Sequence, residues 1–264
     1  MPRRLFALLA VLGLLLVVVA CQGAPAAPAL TDPKDILTRS VLSLKDVKTV
    51  QVKGELTGTV NIPNSGPLDL KGTTFDLSAD IPGKKLHAAA SVPAFLGTSA
   101  DAIFVDNALY YKVAGPVAGM VGADPAGKYK KSDMAPASAG PSASGGTVQT
   151  DPLKAIDAFK AELDKLPAPT KAADEKCGDK DCYHVVLKLT EKDLAAVDPS
   201  AATSLAGTPF TLTLDVWSQK NDLRPAKVAF GVDAGTNGTF TLTLTLTYDQ
   251  ALSISAPAAD QIAP

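Results

Sequence analysis

Histidine is nearly missing from these 264 residues, with only His87 and His184, and the two stand far apart in segments that read as strands. That removes the commonest general base from most arrangements. Nor does the chain carry a Gly-x-Ser-x-Gly elbow, a His-Glu-x-x-His pair, a phosphate-binding glycine loop or a Gly-x-Gly-x-x-Gly turn after a strand. No catalytic residue is expected, and no cofactor. Basic surplus is absent too: 25 Lys and Arg face 27 Asp and Glu, a formal charge of −2, which excludes the cationic face that nucleic acid requires. Aromatics make up only 5 % of residues, so any apolar interior is built from aliphatic and small side chains. Cysteine occurs three times, too few for a disulfide framework or a four-thiol metal centre.

What the chain does have begins at its first residues. Arg3 and Arg4 precede an unbroken apolar run, 5–20, that ends in Val18-Val19-Ala20 directly before Cys21. The run is shorter than the roughly 20 residues that span a bilayer, and a small residue followed by cysteine is the form of an exported lipoprotein signal. Residues 1–20 are therefore expected to be a cleaved signal peptide. Cys21 is the expected lipidation site, and acyl chains such as palmitate would contribute about 0.8 kcal/mol per buried methylene to membrane anchoring. The expected location is the outer face of a bacterial cytoplasmic membrane. In that oxidising setting Cys177 and Cys182 are expected to form a disulfide, a local staple of roughly 2 kcal/mol. A metal site using the same cysteines with Asp179 and Asp181 is the alternative, with little to support it in the absence of a second Cys/His pair.

Residues 21–31 are small residues and prolines, a tether, and 32–264 read as one domain. Asp32-Pro33 is a helix start, followed by Ile36, Leu37, Val41, Leu42 and Leu44 near helical spacing. A second helix is expected from Asp151-Pro152 through Leu153, Ile156, Phe159, Leu163 and Leu166. A short one is expected after Thr190, which would cap it. Residues 135–147 hold only Ala, Ser, Gly and Pro with a closing Thr147 and no charge, a low-complexity surface insertion. Residues 114–127 break the strand pattern with Val117, Met120 and Val121, a candidate flap.

Elsewhere the period is two. Val50, Val52 and Leu56 alternate with Gln51, Lys53 and Glu55, and Phe75 and Leu77 lead to a turn and then Leu86. Phe210, Leu212, Leu214 and Val216 alternate with Thr211, Thr213 and Asp215, and Phe240, Leu242, Leu244 and Leu246 alternate with an almost pure threonine series. This is an antiparallel sheet with one apolar face. The helices must cover that face. Two outcomes are open: a filled core, whose rim or flap would then serve a protein partner, or an incompletely filled one that shelters acyl chains. In the second case Val50, Val52, Leu56, Phe75, Leu77, Leu86, Phe210, Leu212, Leu214, Val216, Phe240, Leu242, Leu244, Leu246, Ile156 and Phe159 are the expected cavity lining. A C16 chain moved from water to such a site could gain on the order of 10 kcal/mol before ordering costs.

The order of lipobox, tether and Asp-Pro helix, then Leu44-Lys45-Asp46-Val47-Lys48-Thr49-Val50 entering a strand, resembles the LprG/LppX family of bacterial lipoproteins. Asn107-Ala108-Leu109-Tyr110-Tyr111, Leu214-Asp215-Val216-Trp217-Ser218 and Pro225-Ala226-Lys227-Val228 extend the resemblance over most of the exported chain. It implies an α+β fold: a curved, unclosed antiparallel half-barrel, similar to the LolA and LolB carriers, with helices over the concave apolar face. It implies a noncatalytic protein that binds lipid or lipoglycan and carries or presents it in the cell envelope, exchanging with an envelope transporter or acceptor protein. The insertion at 135–147 and the Cys177/Cys182 pair depart from the family pattern.

Overall fold

The computed structural model describes residues 29–62, 66–133, 163, 165–193 and 210–264, and Asp32–Pro264 forms a compact unit separate from Met1–Thr31. Helix α1 (Pro33–Leu42) starts as the Asp-Pro pair dictates. The Asp32 side chain accepts from the Lys34 backbone N–H at 2.9 Å, and Pro33 occupies the first turn, where its missing N–H costs nothing. Ile36, Leu37 and Ser40 form its buried stripe. The expected continuation to Leu44 is instead a tight 3-10 turn, Ser43–Asp46, that turns the chain into the first strand.

Thirteen strands follow among the described residues: β1 (Thr49–Ile62), β2 (Gly66–Asp69), β3 (Thr73–Asp80), β4 (Lys85–Val92), β5 (Thr98–Val105), β6 (Ala108–Ala114), β7 (Lys130–Asp133), β8 (Thr170–Lys171), β9 (Glu175–Cys177), β10 (Lys180–Thr190), β11 (Thr211–Gln219), β12 (Pro225–Asp233) and β13 (Gly238–Tyr248). They form one antiparallel sheet in the order β7-β6-β5-β4-β3-β1-β13-β12-β11-β10-β8, with β2 added to β1 and β9 to β10. The path does not return on itself, so the half-barrel is unclosed. Two meanders are joined at the centre, where the first long strand meets the last across Val50↔Tyr248 to Val60↔Gly238.

Glycines make that central seam possible. Gly58 has φ +113°, and a Cβ there would stand 2.2 Å from the Thr239 carbonyl oxygen; Gly238, also at φ +113°, has the mirror relation to the Thr59 carbonyl at 2.1 Å. Only residues without a side chain let the two strands approach and bend there.

Several elements were not visible as strands in the pattern. β2 begins at Gly66, where the sequence suggests only a turn. β7, β8 and β9 are too short to show alternation, and the expected Asn237-Gly238 turn is a 3-10 turn, Gly235–Asn237. After β13 the C-terminal segment returns to Tyr129: the Tyr129 N–H donates to the Gln261 carbonyl at 2.9 Å and the Ala263 N–H to the Tyr129 carbonyl at 2.8 Å. The expected second helix, including Ile156 and Phe159, the low-complexity insertion and Cys21 lie outside the described residues. Leu163 from that helix is described, helical and buried. Residues 191–193 are helical behind Thr190. The cap is reciprocal to the expected one, the Asp193 carboxylate accepting from both the N–H and the hydroxyl of Thr190 at 2.7 Å.

Candidate functional site: the apolar face of the half-barrel

Cross-strand register decides whether alternating strands make one face or several. Here it makes one. From β1 toward the C-terminal half, Val52 sits beside Leu246, Leu56 beside Leu242, and Gly54 beside Leu244. Leu242 then meets Phe230 and Leu244 meets Val228, while Phe230 meets Leu214 and Val228 meets Val216. Leu214 and Val216 finish against Leu187 and Val185 of β10. In the other direction Val52 meets Leu77 and Gly54 meets Phe75. Leu77 then meets Ala88, Phe75 meets Ala90, and these meet Ala102 and Ala100.

Every strand residue expected as lining thus falls on this face: Val50, Val52, Leu56, Phe75, Leu77, Leu86, Leu212, Leu214, Val216, Phe240, Leu242, Leu244 and Leu246. Phe210 lies one residue before β11. Pattern reading left out Val185, Leu187 and Leu189, which are among the most buried apolar side chains, and the alanines of β4 and β5. Their alternation was present, but only the pairing shows that they share the plane.

The two halves of the face differ. Beside α1, Val185, Leu187, Leu189 and Val216 are buried, and the Ser218 hydroxyl bonds to Ser40 of the helix. A register shift between Trp217 and Ser218 accompanies that contact. Toward β1, β3 and β13, Val52, Leu56, Leu77, Leu242, Leu244 and Leu246 are only half-buried and Phe75 is exposed. Gly54, packed under the Leu244 and Phe75 side chains, withholds volume at the centre.

The opposite face is wet. It carries a groove of about 400 Å³ bordered by Thr57, Thr211, Thr213, Asp233, Thr239 and Thr241, and another of about 430 Å³ bordered by Lys53, Glu55, Thr74, Asp76, Thr243 and Thr245. Hydroxyls and charges border both, beside Val232 and Phe240 in the first and Phe75 in the second. An acyl chain in either would face many polar groups.

Both histidines lie on this wet side. His184 Nε2 stands 2.7 Å from Asp215 Oδ1, and its ring stacks on Trp217 at 4.3 Å between centroids. Nδ1 is 3.2 Å from Glu175 Oε1 but out of line for a hydrogen bond. Trp217 Nε1 donates to the same carboxylate at 3.2 Å, and Lys227 Nζ sits 4.2 Å over the indole. With its side chain 12 % exposed, His184 ties β9, β10 and β11 together and faces no open cleft. Cys177 and Cys182 are joined in a disulfide that closes the same β9–β10 hairpin. His87, more exposed, lies 3.4 Å from Asp101, which also accepts from the Tyr129 hydroxyl at 2.9 Å. Burial raises the Tyr129 phenol above its ordinary range, with the Asp101 carboxylate adding to the rise. Among the described residues no group of three or more His, Cys, Asp or Glu side chains converges as a metal site.

The arrangement is a curved sheet with one largely apolar side and one hydroxyl-rich side. No family model matches the sequence, and no curated protein matches it. Among solved structures, the lipoprotein LppX of Mycobacterium tuberculosis matches 84 % of this chain and 98 % of its own at 11 % identity, with a TM-score of 0.50. The chain is similar in fold to LppX. LprF of Mycobacterium bovis is matched over 86 % of this chain and 97 % of its own, at 15 % identity and a TM-score of 0.46. A LolA superfamily protein of Nitrosomonas europaea covers 84 % and 96 %, at 11 % identity and a TM-score of 0.23. The LppX-like half-barrel expected from the sequence is thus the fold observed, and no helix among the described residues is long and apolar enough to cross a membrane.

Proposed function

We propose that this protein is a noncatalytic, membrane-anchored lipoprotein that holds lipid or lipoglycan acyl chains against the apolar face and carries or presents them in the cell envelope. The observation that carries the reading is the unbroken register of that face together with its half-buried Leu, Val and Phe side chains over β1, β3 and β13. A domain that leaves so long an apolar surface only partly covered by its own chain has reason to bind an apolar ligand there. Similarity in fold to a lipoprotein supports the reading, as does the Ala20-Cys21 lipobox, which would place the domain on the outer face of the cytoplasmic membrane with its cargo in reach. An envelope transporter or acceptor protein would supply or receive the cargo.

Native mass measurement of the purified unit Asp32–Pro264 tests the binding. Mass in excess of the polypeptide that extracts into organic solvent and matches acyl lipid is the expected result. A bare polypeptide that also takes up no added phospholipid would overturn it. The anchor has its own test: the full chain should incorporate labelled palmitate, and Cys21→Ser should abolish that label.

A further inference from the structure

Four large apolar side chains stand in solvent at one end of the half-barrel. Phe95 and Leu96 are 49 % and 80 % exposed in the β4–β5 turn, and Met120 and Val121 are 86 % and 53 % exposed in the segment after β6. Register places both turns at the same end: Val92 pairs with Thr98, and Ser99 with Ala114. Their bases touch, since a Cβ on Gly115 would lie 2.9 Å from the Thr98 Cα. Exposed Ile81, in the β3–β4 turn, lies at the other end, roughly 25 Å away for strands of this length.

We propose that this rim is a bilayer-docking surface, which seats this end of the half-barrel in the interfacial layer of a lipid membrane. Two observations select a bilayer over a protein partner. First, most of the turns' backbone N–H groups are paired within the turns themselves. Phe95, Gly97 and Thr98 donate N–H groups to Val92, Pro93 and Phe95, and the Thr98 hydroxyl also donates to the Phe95 carbonyl at 2.6 Å. Ala118, Met120, Val121, Gly122 and Ala123 donate to carbonyls of Gly115, Val117, Val117, Gly119 and Ala118. Backbone so largely paired enters the headgroup layer of a membrane at a smaller penalty than an open loop would meet, and the few remaining N–H groups can stay in that layer's water. Second, positions 93–98 and 115–123 carry no charge, and their one polar side chain, Thr98, is spent on the turn. The rim therefore offers area and no donors or acceptors with which to specify a protein surface.

Backbone strain sits at the same apolar tip. Leu96 has φ +54°, a left-handed conformation that a bulky residue rarely adopts, beside Gly97 at φ +72°. Leucine at 96 costs local stability and adds nothing to the interior, since it is the second most exposed of the large apolar side chains described.

The proposal adds a docking surface to the carrier reading but is tested apart from it. The unit Asp32–Pro264, which lacks any lipid anchor, is sedimented with vesicles of phosphatidylethanolamine and phosphatidylglycerol. Wild type should partition onto the vesicles, Leu96→Asp and Met120→Asp should each weaken partitioning about tenfold, and Ile81→Asp should leave it unchanged. A Leu96→Trp variant should shift its emission to the blue with vesicles and be quenched by brominated acyl chains. Partitioning that is absent in the wild type, unchanged in the rim variants or equally lost in Ile81→Asp would overturn the proposal. So would self-association through the rim without vesicle binding, which would assign the surface to a second copy. Bound lipid is weighed in the same samples: rim-dependent partitioning by a lipid-free polypeptide would sustain the docking surface while sinking the carrier.

Discussion

The Ser218 hydroxyl donates to the Ser40 hydroxyl over 2.8 Å, and neither side chain has any exposure to solvent. This bond fixes α1 against the sheet at the point where the β11 register shifts. Removing one partner leaves a buried polar group unpaired, whereas removing both leaves an apolar contact. Ser218→Ala and Ser40→Ala should each lower stability by about 1–3 kcal/mol, and the double variant should lose clearly less than their sum. Urea unfolding of the four proteins measures it, and strict additivity would show that the two hydroxyls act independently.

Gly58 should tolerate no side chain. Alanine there must adopt φ +113° and place its Cβ where the Thr239 carbonyl oxygen stands, so Gly58→Ala should cost more than about 2 kcal/mol. Gly54 is the comparison. Its added Cβ would meet the far end of the Leu244 side chain at 3.0 Å, which can shift, and the Phe75 Cβ at 3.2 Å, which needs a give of only a few tenths of an ångström, and its φ is ordinary. Gly54→Ala should cost less, although both glycines sit on the same strand and the same face; equal losses in thermal unfolding would contradict the steric account.

Alkali should unfold this protein through Tyr248. Burial pushes its phenol far above the ordinary value, and the neutral hydroxyl donates to the Pro225 carbonyl at 2.8 Å. The folded pKa is raised, so above about pH 10 the unfolded chain releases a proton that the folded chain keeps, and stability, full below that pH, falls as pH rises. Tyr248→Phe should cost about 1 kcal/mol at neutral pH and flatten the alkaline decline. The sign reverses in acid. Asp249 is held below the carboxylate range by the Lys48 backbone N–H and then by Arg224, so its stabilisation is present above about pH 4 and lost as pH falls through the lowered value. Chemical denaturation midpoints from pH 3 to 11 for wild type and Tyr248→Phe check both limbs.

How much of this was legible in the sequence follows from period and pairing. β1, β11 and β13 were readable because their faces differ in chemistry at every step, threonine or charge against Leu and Val. β7 to β9 were not, because two to four residues cannot display a period. The pairing of β1 with β13 joins residues some 200 positions apart, and only their coordinates show that Gly58 and Gly238 press against each other's strand. Val185 and Leu187 were missed as lining for the same reason: their register with Val216 and Leu214 is nonlocal. The His184 cluster was hidden too, since Glu175, His184, Asp215 and Trp217 come from three strands. Met120 and Val121 were legible as apolar residues of the candidate flap at 114–127, whereas Leu96 was not singled out, although its uncharged turn holds two large apolar side chains.

Lipid uptake should depend on the side of the sheet that is changed. Leu244 lies on the apolar face between Gly54 and Val228, while its neighbour Thr245 points to the wet face between Lys53 and Lys227. An aspartate at 244 would put an unpaired charge where acyl chains are proposed to lie, and Leu244→Asp should abolish uptake of a fluorescent fatty acid. Thr245→Asp, flanked by two cations, should bind as wild type does. Because Leu244→Asp also threatens folding, Ala88→Phe provides a second handle. Ala88 sits between Leu77 and Ala102 in the alanine-lined part of the face, and a phenyl ring there takes space without polarity. That variant should fold, retain short acyl chains and lose long ones by about tenfold. Uptake that falls equally for Thr245→Asp and Leu244→Asp, or that ignores Ala88→Phe at every chain length, would place the ligand away from this face.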